Sequence, residues 1–488
     1  MKKTKYLYGC LLAFIYSCAN TPHDITKTSD TLEIYPEYDN ISIPCNIAPL
    51  NFLVRNDGVE AVQAEVEGIT LLNEGNKVQW DQTEWKQLVS KHVGDTLNVQ
   101  VTACINGKWL QFDDLKWYIS PDSVDSYITY RLIEPGYEIW HEVEIEERCI
   151  ESFDTRTLAD GKQLGNRCMN CHTHGGNEGQ YSYFYIRGDK GGTFVNRNNK
   201  FEKFALNTNK TNGSTVYGGW HPTGRYGVFS TNLIIPAYHS DPANRLEVYD
   251  THSDLCIADF ETQRMITSPL VSQTDNTLET FPTFSADGKT IYYCSAPNPC
   301  GDTIPKPEDM QNLVKQIHYS LKRISFDEAN GRFVGPIETV IAATDSSSIH
   351  FPRFSPDGLW LTYCENKYGT FPIWHMDTRI ILTPAQQPTT IIDRTKIHGT
   401  YHTWSHNSKW IVFASKEYDT QYSRVYLVHV NSDGTLSKPL VLPQADPSHD
   451  DMYLKSYNIP DLSMHPMPFD HNRVKELLEQ TDAIQFSE

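Results

Sequence analysis

Two cysteines and a histidine lie within five consecutive residues, about a third of the way along the chain. Residues 168–172 read Cys-Met-Asn-Cys-His. In a C-x-x-C-H sequence the two thiols can bond to the two vinyl groups along one haem edge, and the adjacent imidazole can bind the iron. We therefore expect one covalent c-type haem, held by Cys168, Cys171 and His172.

Three other interpretations of these residues stay open: a redox disulfide, a zinc site that includes His174, and a chance match. Redox C-x-x-C pairs sit at a helix start in a βαβ unit, and no such pattern surrounds Cys168. Structural zinc usually takes a second ligand pair from a distant segment. Haem is the favoured interpretation.

The first 18 residues have the pattern of an exported lipoprotein. Residues 1–5 are positively charged, and residues 6–16 form an apolar run too short to span a bilayer. The run ends in Ile-Tyr-Ser-Cys18, which resembles a bacterial lipobox, and by that resemblance Cys18 is the lipidated first residue of the mature chain. The alternative is a plain signal peptide cut near Ala19. Export supports the haem hypothesis, because bacteria attach haem c outside the cytoplasm.

The charge balance limits the partners. The formal net charge is −19, and an acidic surface repels phosphate backbones and anionic lipid head groups. We expect no nucleic-acid partner. Membrane association would depend on the lipid anchor, and the location would be the cell envelope, at the outer membrane, facing either the periplasm or the cell surface.

The chain divides into six segments by composition and pattern. Residues 1–17 are the signal peptide and 18–30 a polar tether. Short alternating runs predict a β-sandwich-like domain over 31–120, with one helix capped by Asp81. Further segments are expected as a connector with the haem loop (121–180), a β-propeller (181–460) and a tail with a short helix (461–488).

Repeated segments after residue 180 predict the propeller. Each has an aromatic residue, a polar turn and an apolar strand, which fits a hairpin in a four-stranded blade. The four copies are Trp220-His-Pro-Thr-Gly-Arg-Tyr-Gly-Val-Phe-Ser230, Phe284-Ser-Ala-Asp-Gly-Lys-Thr-Ile-Tyr-Tyr-Cys294, Phe354-Ser-Pro-Asp-Gly-Leu-Trp-Leu-Thr-Tyr-Cys364 and Trp404-Ser-His-Asn-Ser-Lys-Trp-Ile-Val-Phe-Ala414.

These copies resemble the WD-like repeats of TolB-type β-propellers, whose core is an aromatic-Ser-Pro-Asp-Gly turn. The resemblance covers residues 180–460 and implies a mainly β fold with five or six blades. With Cys168, Cys171 and His172 ahead of the propeller, the mature chain resembles bacterial TolB-like lipoproteins that carry a C-x-x-C-H motif. The resemblance assigns no reaction.

Comparison of the repeats indicates a candidate for the second iron ligand and a packing role for two cysteines. After the leading aromatic, three copies have Ser and the first has His221, which we take as a candidate sixth ligand, with an ordinary turn histidine as the alternative. Cys294 and Cys364 share a position that favours a small residue, so we expect core packing and no disulfide. The other candidate ligands are His174, His239, His350, His402 and Met265, and a five-coordinate iron is also open.

Three classes of function remain. The first is electron transfer or redox sensing, with the propeller as the docking platform for a redox partner protein. The second is a haem enzyme of peroxidase type, which needs an open sixth position. The third is a binding module for a protein, peptide or glycan, with a structural haem. The sequence contains no signature that favours any other catalysis.

Overall fold

The computed structural model describes residues 21–488, apart from 135–139, 177–179, 212–213, 239–245, 273–275, 302, 304 and 307. The chain is mainly β, and a smaller N-terminal β-domain packs against a β-propeller. The prediction of a mainly β chain with a propeller is confirmed. The candidate lipid-attachment residue Cys18 and the candidate ligand His239 lie outside the described residues.

The N-terminal domain combines two sheets and one helix. Asp81 caps the helix by accepting hydrogen bonds from two backbone N–H groups, and Trp85, Leu88 and Val89 form the buried face. Its elements are β1 Thr26–Lys27, β2 Ile34–Tyr35, β3 Ile41–Pro44, β4 Phe52–Val54, β5 Val59–Val66, β6 Ile69–Glu74, β7 Lys77–Val78, α1 Gln82–Lys91, β8 Thr96–Ile105, β9 Lys108–Gln111 and β10 Leu115–Ser120. β2, β4 and β7 form the smaller sheet.

The propeller consists of six sheets, which we call blades 1 to 6. Blade 1 contains β11 Tyr127–Ile133, β12 Glu144–Cys149 and β13 Thr155–Asp160; blade 2 contains β14 Met169–Gly175, β15 Tyr181–Ile186, β16 Gly192–Arg197 and β17 Lys200–Ala205; blade 3 contains β18 Thr215–Trp220, β19 Tyr226–Tyr238, β20 Leu246–Asp259 and β21 Arg264–Ile266.

The later blades follow the same plan. Blade 4 contains β22 Thr277–Phe284, β23 Thr290–Pro297, α2 Met310–Leu313, β24 Ser320–Asp327 and β25 Arg332–Ile341; blade 5 contains β26 Ser348–Phe354, β27 Trp360–Asn366, β28 Arg379–Pro384 and β29 Asp393–Arg394; blade 6 contains β30 Thr400–Trp404, β31 Trp410–Ser415, β32 Arg424–His429 and β33 Leu440–Val441. The chain then forms α3 His449–Met452, β34 Ser456–Ser463, α4 His471–Gln480 and β35 Ile484–Gln485.

The inner strands form a closed ring. In order around the ring, β14, β18, β22, β26, β30 and β34 each contact the next, and β34 contacts β14 again. β34 pairs antiparallel with β11 and supplies the innermost strand of blade 1, while β35 adds to β17 of blade 2. The end of the chain thus closes the propeller onto its first two blades.

The repeats and the C-terminal helix match the structure, and the connector does not. The leading aromatic of each repeat ends an inner strand, and the turn leads into the second strand of the same blade. In contrast, residues 121–180 contain the strands of blade 1 and the inner strand of blade 2. The C-x-x-C-H motif therefore lies on a propeller strand, because its backbone pairs with Tyr181–Ile186.

A single apolar core joins the N-terminal domain to blade 6. Trp117 and Phe52 of the small domain belong to the same buried cluster as Trp410 and Leu427 of the propeller. The indole N–H of Trp410 also donates to the carbonyl oxygen of Asp122 at 2.9 Å. Burial of this apolar surface holds the two parts together.

Asp250, a fully buried carboxyl on β20, should make the stability of the fold depend on pH. Burial, with a smaller contribution from the Glu279 charge, raises its pKa to about 8, although Asn232 donates a hydrogen bond to it at 2.7 Å. Between about pH 4 and pH 8 the unfolded chain has lost this proton and the folded chain keeps it, so stability falls as pH rises.

We expect Asp250→Asn to remove this loss. Relative to the unchanged chain, the free energy of unfolding of the variant should rise by up to about 1.4 kcal/mol per pH unit between pH 5 and pH 8. Urea unfolding at each pH measures the difference. Asp345→Asn, at an exposed position, is the matched control and should leave the profile unchanged. Parallel pH profiles for Asp250→Asn and the unchanged chain would contradict this expectation.

Candidate functional site

The cysteine motif occupies the inner strand of blade 2. Cys168 stands just before β14 and is 7% exposed, while the next residue, Met169, begins the pairing with β15. The thiol of Cys168 lies 3.7 Å from the amide oxygen of Asn170. Cys171 lies within the strand, and its side chain is outside the described part of the structure. The motif is thus held by sheet pairing on one side and by neighbouring inner strands on the other.

A backbone irregularity recurs in the inner strands. In five of them the register shifts at a residue with positive φ. This backbone conformation costs free energy for residues other than glycine. These residues are Tyr217, Phe281, Phe351, Tyr401 and Ile459. In β14 the register shifts between Asn170 and Thr173, so Cys171 and His172 lie at the equivalent place.

The aromatic members of this set pack together in the centre of the propeller. Ring centroids lie 5.1 Å apart for Tyr217 and Phe281, 4.0 Å for Phe281 and Phe351, and 4.4 Å for Phe351 and Tyr401. Tyr217 and Tyr401 line a cavity on each side of this cluster. The rings therefore divide the central channel in two.

The larger of these two cavities, which we call the thiol cavity, includes Cys168. Its volume is about 560 Å³ and its lining is mainly apolar. Aromatic and aliphatic side chains form most of the wall, among them Tyr217, Ile234, Leu246, Val248, Phe371, Ile373, Trp374 and Tyr401. A space of this size suits a small-molecule ligand with a large apolar surface.

Arginines supply the positive charge of the thiol cavity. Arg131, Arg167 and Arg187 all line it, and the described lining residues include no Asp, Glu or His. The guanidinium of Arg131 donates to Asn170 Oδ1 at 3.0 Å and to Asn458 Oδ1 at 2.7 Å, which ties the motif to the closing strand. An apolar cavity with this charge favours a ligand that carries carboxylates.

His172 lies on the other side of the aromatic cluster. It lines a cavity of about 20 Å³ that also contains Arg353, His402 and Asp461. Its Nε2 lies 3.3 Å from the carbonyl oxygen of Thr129. Burial and, to a smaller extent, the charges of His174 and Arg131 lower the pKa of His172 to about 3, so the imidazole is neutral at pH 7. The structure therefore separates His172 from the cavity that Cys168 lines.

His221 makes a side-chain hydrogen bond within its turn, as serine does at the same position in other repeats. Ser285 and Ser355 each hydrogen-bond to an aspartate two residues later, at 2.6 Å, and the Nδ1 of His221 lies 2.8 Å from Thr223 Oγ1. Its Nε2 faces Gly288 of blade 4 so closely that a Cβ there would lie 2.2 Å away. His221 and His172 line different cavities, and the structure does not bring them together.

The other candidate ligands are also dispersed. His174 lies in the mouth opposite the thiol cavity, His402 lines the 20 Å³ cavity, and Met265 is buried in the core between blades 2 and 3. His350 is buried beside Phe281. Within the described residues, no group of three or more His, Cys, Asp or Glu side chains could hold a metal ion. Cys294 and Cys364 are free thiols in the core, as predicted.

Extending the repeat backwards by three residues would have located the motif in the fold. The extended copies begin Tyr-Gly-Gly-Trp220, Phe-Pro-Thr-Phe284, Phe-Pro-Arg-Phe354 and Tyr-His-Thr-Trp404, and the haem motif continues as Cys-His-Thr-His174. In this alignment Cys171 takes the place of the central aromatic residue. The sequence alone therefore contains the pattern that marks this segment as an inner strand with a bulge.

No helix among the described residues has both the length and the apolar character needed to cross a bilayer.

No family model matches the chain, and no curated protein matches it. Among solved structures it is similar to TolB from Acinetobacter baumannii (TM-score 0.43, 11% identity, 78% of this chain and 85% of that chain). It is also similar to a hypothetical selenium-binding protein from Sulfolobus tokodaii (TM-score 0.42, 9% identity, 72% and 96%). A third is an apocarotenoid oxygenase from Synechocystis (TM-score 0.39, 11% identity, 86% and 95%).

Proposed function

We propose that this chain is a lipid-anchored envelope protein that carries one covalent haem and passes electrons to a partner that docks on the propeller. The observation that carries the proposal is the position of Cys168 in the wall of a mainly apolar cavity of about 560 Å³. A haem bonded to that thiol would find apolar walls for its ring. It would supply one-electron chemistry at the site.

The thiol cavity fits the haem group in two respects and fails in a third. Its apolar and aromatic walls suit the haem macrocycle. Arg131, Arg167 and Arg187 could neutralise the two carboxylates that a haem carries. The imidazole of His172 does not line this cavity and hydrogen-bonds to Thr129 instead. The position of Cys168 therefore fits haem attachment, whereas the position of His172 does not fit iron binding in this arrangement.

The composition of the cavity favours an electron carrier over a peroxidase. A peroxidase needs an acid–base group beside the open iron position. The described residues that line the thiol cavity include no Asp, Glu or His. We therefore favour electron transfer or redox sensing over peroxidase activity.

The experiment is an absorption spectrum of the purified full chain, made in a host with cytochrome c maturation machinery. We expect a haem spectrum with one haem per chain that survives acid–acetone extraction. A colourless protein from such a host would overturn the proposal, and so would stoichiometric zinc.

The position of His172 favours a second candidate, a binding module that holds a ligand in the thiol cavity without covalent attachment. Such a ligand would be flat and apolar with at least one carboxylate, by the same match of walls and arginines. Denaturation in organic solvent followed by mass spectrometry tests this candidate. It predicts one extracted organic compound per chain and an unmodified mass for the polypeptide.

The lipid anchor gives a separate prediction. We expect Cys18→Ala to release the mature protein from the membrane fraction, because the acidic surface gives the lipid bilayer no electrostatic attraction. Fractionation and immunoblotting measure the effect. Cys10→Ala, a change within the apolar run of the signal, is the matched control and should leave the protein on the membrane. Retention of Cys18→Ala in high salt would show another anchor.

A further inference from the structure

The channel mouth opposite the thiol cavity is surrounded by one residue from each inner strand. The six residues occupy equivalent positions, two after the bulge, and all line a cavity of about 240 Å³. We call them the mouth ring: Thr173, Gly219, Thr283, Arg353, Thr403 and Asp461. The ring therefore presents three hydroxyl groups, one guanidinium and one carboxyl to the same space.

Arg353 and Asp461 do not neutralise each other directly. Arg353 donates to the carbonyl oxygen of Pro352 at 2.9 Å, and Asp461 accepts from the backbone N–H of His174 at 2.8 Å. The two groups lie near enough to influence each other's pKa, yet the described ion pairs within 4.0 Å do not include this pair. A guanidinium has five N–H donors and a carboxylate can accept about four hydrogen bonds, so both retain capacity for a ligand.

The walls above the ring are aromatic. They are the leading aromatics of the four repeats, which end the inner strands of blades 3 to 6: Trp220, Phe284, Phe354 and Trp404. Partly buried aromatic faces attract ammonium groups and apolar side chains. A polar floor with opposite charges therefore lies beneath an aromatic rim.

The size of the cavity restricts the ligand. At about 240 Å³ it falls below the usual range for drug-sized ligands, about 300–1,000 Å³. A small molecule is the occupant that fits. Asp461 is buried and Arg353 is half-buried, and the described ion pairs include neither of them, so a ligand that carries both complementary charges gains most from this site.

We propose that the mouth ring binds a small α-amino acid, with its carboxylate on Arg353 and its ammonium group on Asp461. Thr283 and Thr403 donate their hydroxyl hydrogens to the carbonyl oxygens of Phe284 and Pro460. Their hydroxyl oxygens, with the hydroxyl of Thr173, would accept from the ammonium group, and the ligand side chain would face the aromatic rim. This site lies across the aromatic cluster from Cys168 and does not depend on haem.

The test is isothermal titration calorimetry of the full mature chain at low salt with glycine, L-alanine and L-phenylalanine. Acetate and ethylammonium, which each carry one of the two charges, are the matched ligands. We expect at least one amino acid to bind, and acetate and ethylammonium to bind at least about tenfold more weakly, because each lacks one charged hydrogen bond.

Variants assign the binding to the ring. Arg353→Gln and Asp461→Asn should each weaken amino-acid binding by about tenfold or more, since each removes a charged partner. Arg394→Gln, an arginine of blade 5 whose side chain is 51% exposed, should bind as the unchanged chain does. Arg353→Lys keeps the charge and should retain part of the affinity, which separates recognition from misfolding.

Three results would overturn the proposal. One is the absence of binding by all three amino acids up to about 10 mM, where even a millimolar dissociation constant would be detected. Another is acetate binding as tightly as the best amino acid. The third is unchanged affinity in Arg353→Gln.

Discussion

The double variant Cys168→Ala, Cys171→Ala should carry no covalent haem, whereas the unchanged chain should keep its haem through denaturing electrophoresis. Each thioether bond needs one of the two motif thiols, and Cys168 is the motif thiol that the structure places in the apolar cavity. Haem staining of the gel and the pyridine haemochrome spectrum measure the loss, which should be complete. Single variants should keep one bond and stain more weakly.

A matched cysteine outside the motif controls for general damage. Cys149 is half-buried on β12 of the neighbouring blade, and Cys149→Ala should stain as the unchanged chain does. Equal staining of the double variant would mean that the haem is held elsewhere.

Variants of the histidines separate attachment from iron binding. We expect His172→Ala to keep the thioether bonds and to change the iron spectrum if the imidazole leaves Thr129 when haem is present. His221→Ala should leave the spectrum unchanged, because His221 is engaged with Thr223 and faces Gly288. A conversion to high spin in His221→Ala would restore it as the sixth ligand.

Arg424→Met should lower the free energy of unfolding by about 3–5 kcal/mol, since it leaves a buried carboxylate without its cation. Arg424 is 1% exposed, and its Nε lies 3.2 Å from Oδ1 of Asp450, which is 4% exposed. Its Nη atoms donate to the carbonyl oxygens of Lys455, Asp450 and Tyr453, at 3.1, 2.9 and 3.1 Å. The guanidinium thus holds the segment that leads into β34. Urea and thermal unfolding measure the change.

Two further variants test this explanation. Arg394→Met removes an exposed arginine that lies 3.7 Å from Glu365, and should cost less than about 1 kcal/mol. The double variant Arg424→Met, Asp450→Leu removes both buried charges and should recover part of the loss. A double variant less stable than Arg424→Met alone would place the stabilisation in the carbonyl contacts and not in the ion pair.

Local patterns were enough to predict much of the fold. The leading aromatics Trp220, Phe284, Phe354 and Trp404, each followed by a polar turn, predicted the inner hairpins of blades 3 to 6, because turn chemistry and strand alternation are local properties. The same holds for α1, whose cap at Asp81 is a property of four consecutive residues.

The blades without that turn pattern could not be recognised in this way. Blade 1 takes its innermost strand from the end of the chain, so Tyr127 pairs with Ser463, and no short window contains both strands. The connector expected over 121–180 was therefore wrong. The side on which His172 lies depends on a bulge, since a shift of one residue in register reverses the face of a side chain.

Closure by β34 sets an order for maturation. The backbone N–H of His174 is bonded to Asp461, 287 residues later, and Asn458 completes the wall of the thiol cavity. During synthesis from the N-terminus, residues 168–172 emerge long before this wall exists. Under the proposed function, the haem would be attached while the cysteines lie on an open, unpaired segment. Pairing of β34 would then enclose the haem, so this last step of folding would determine whether it can still be removed.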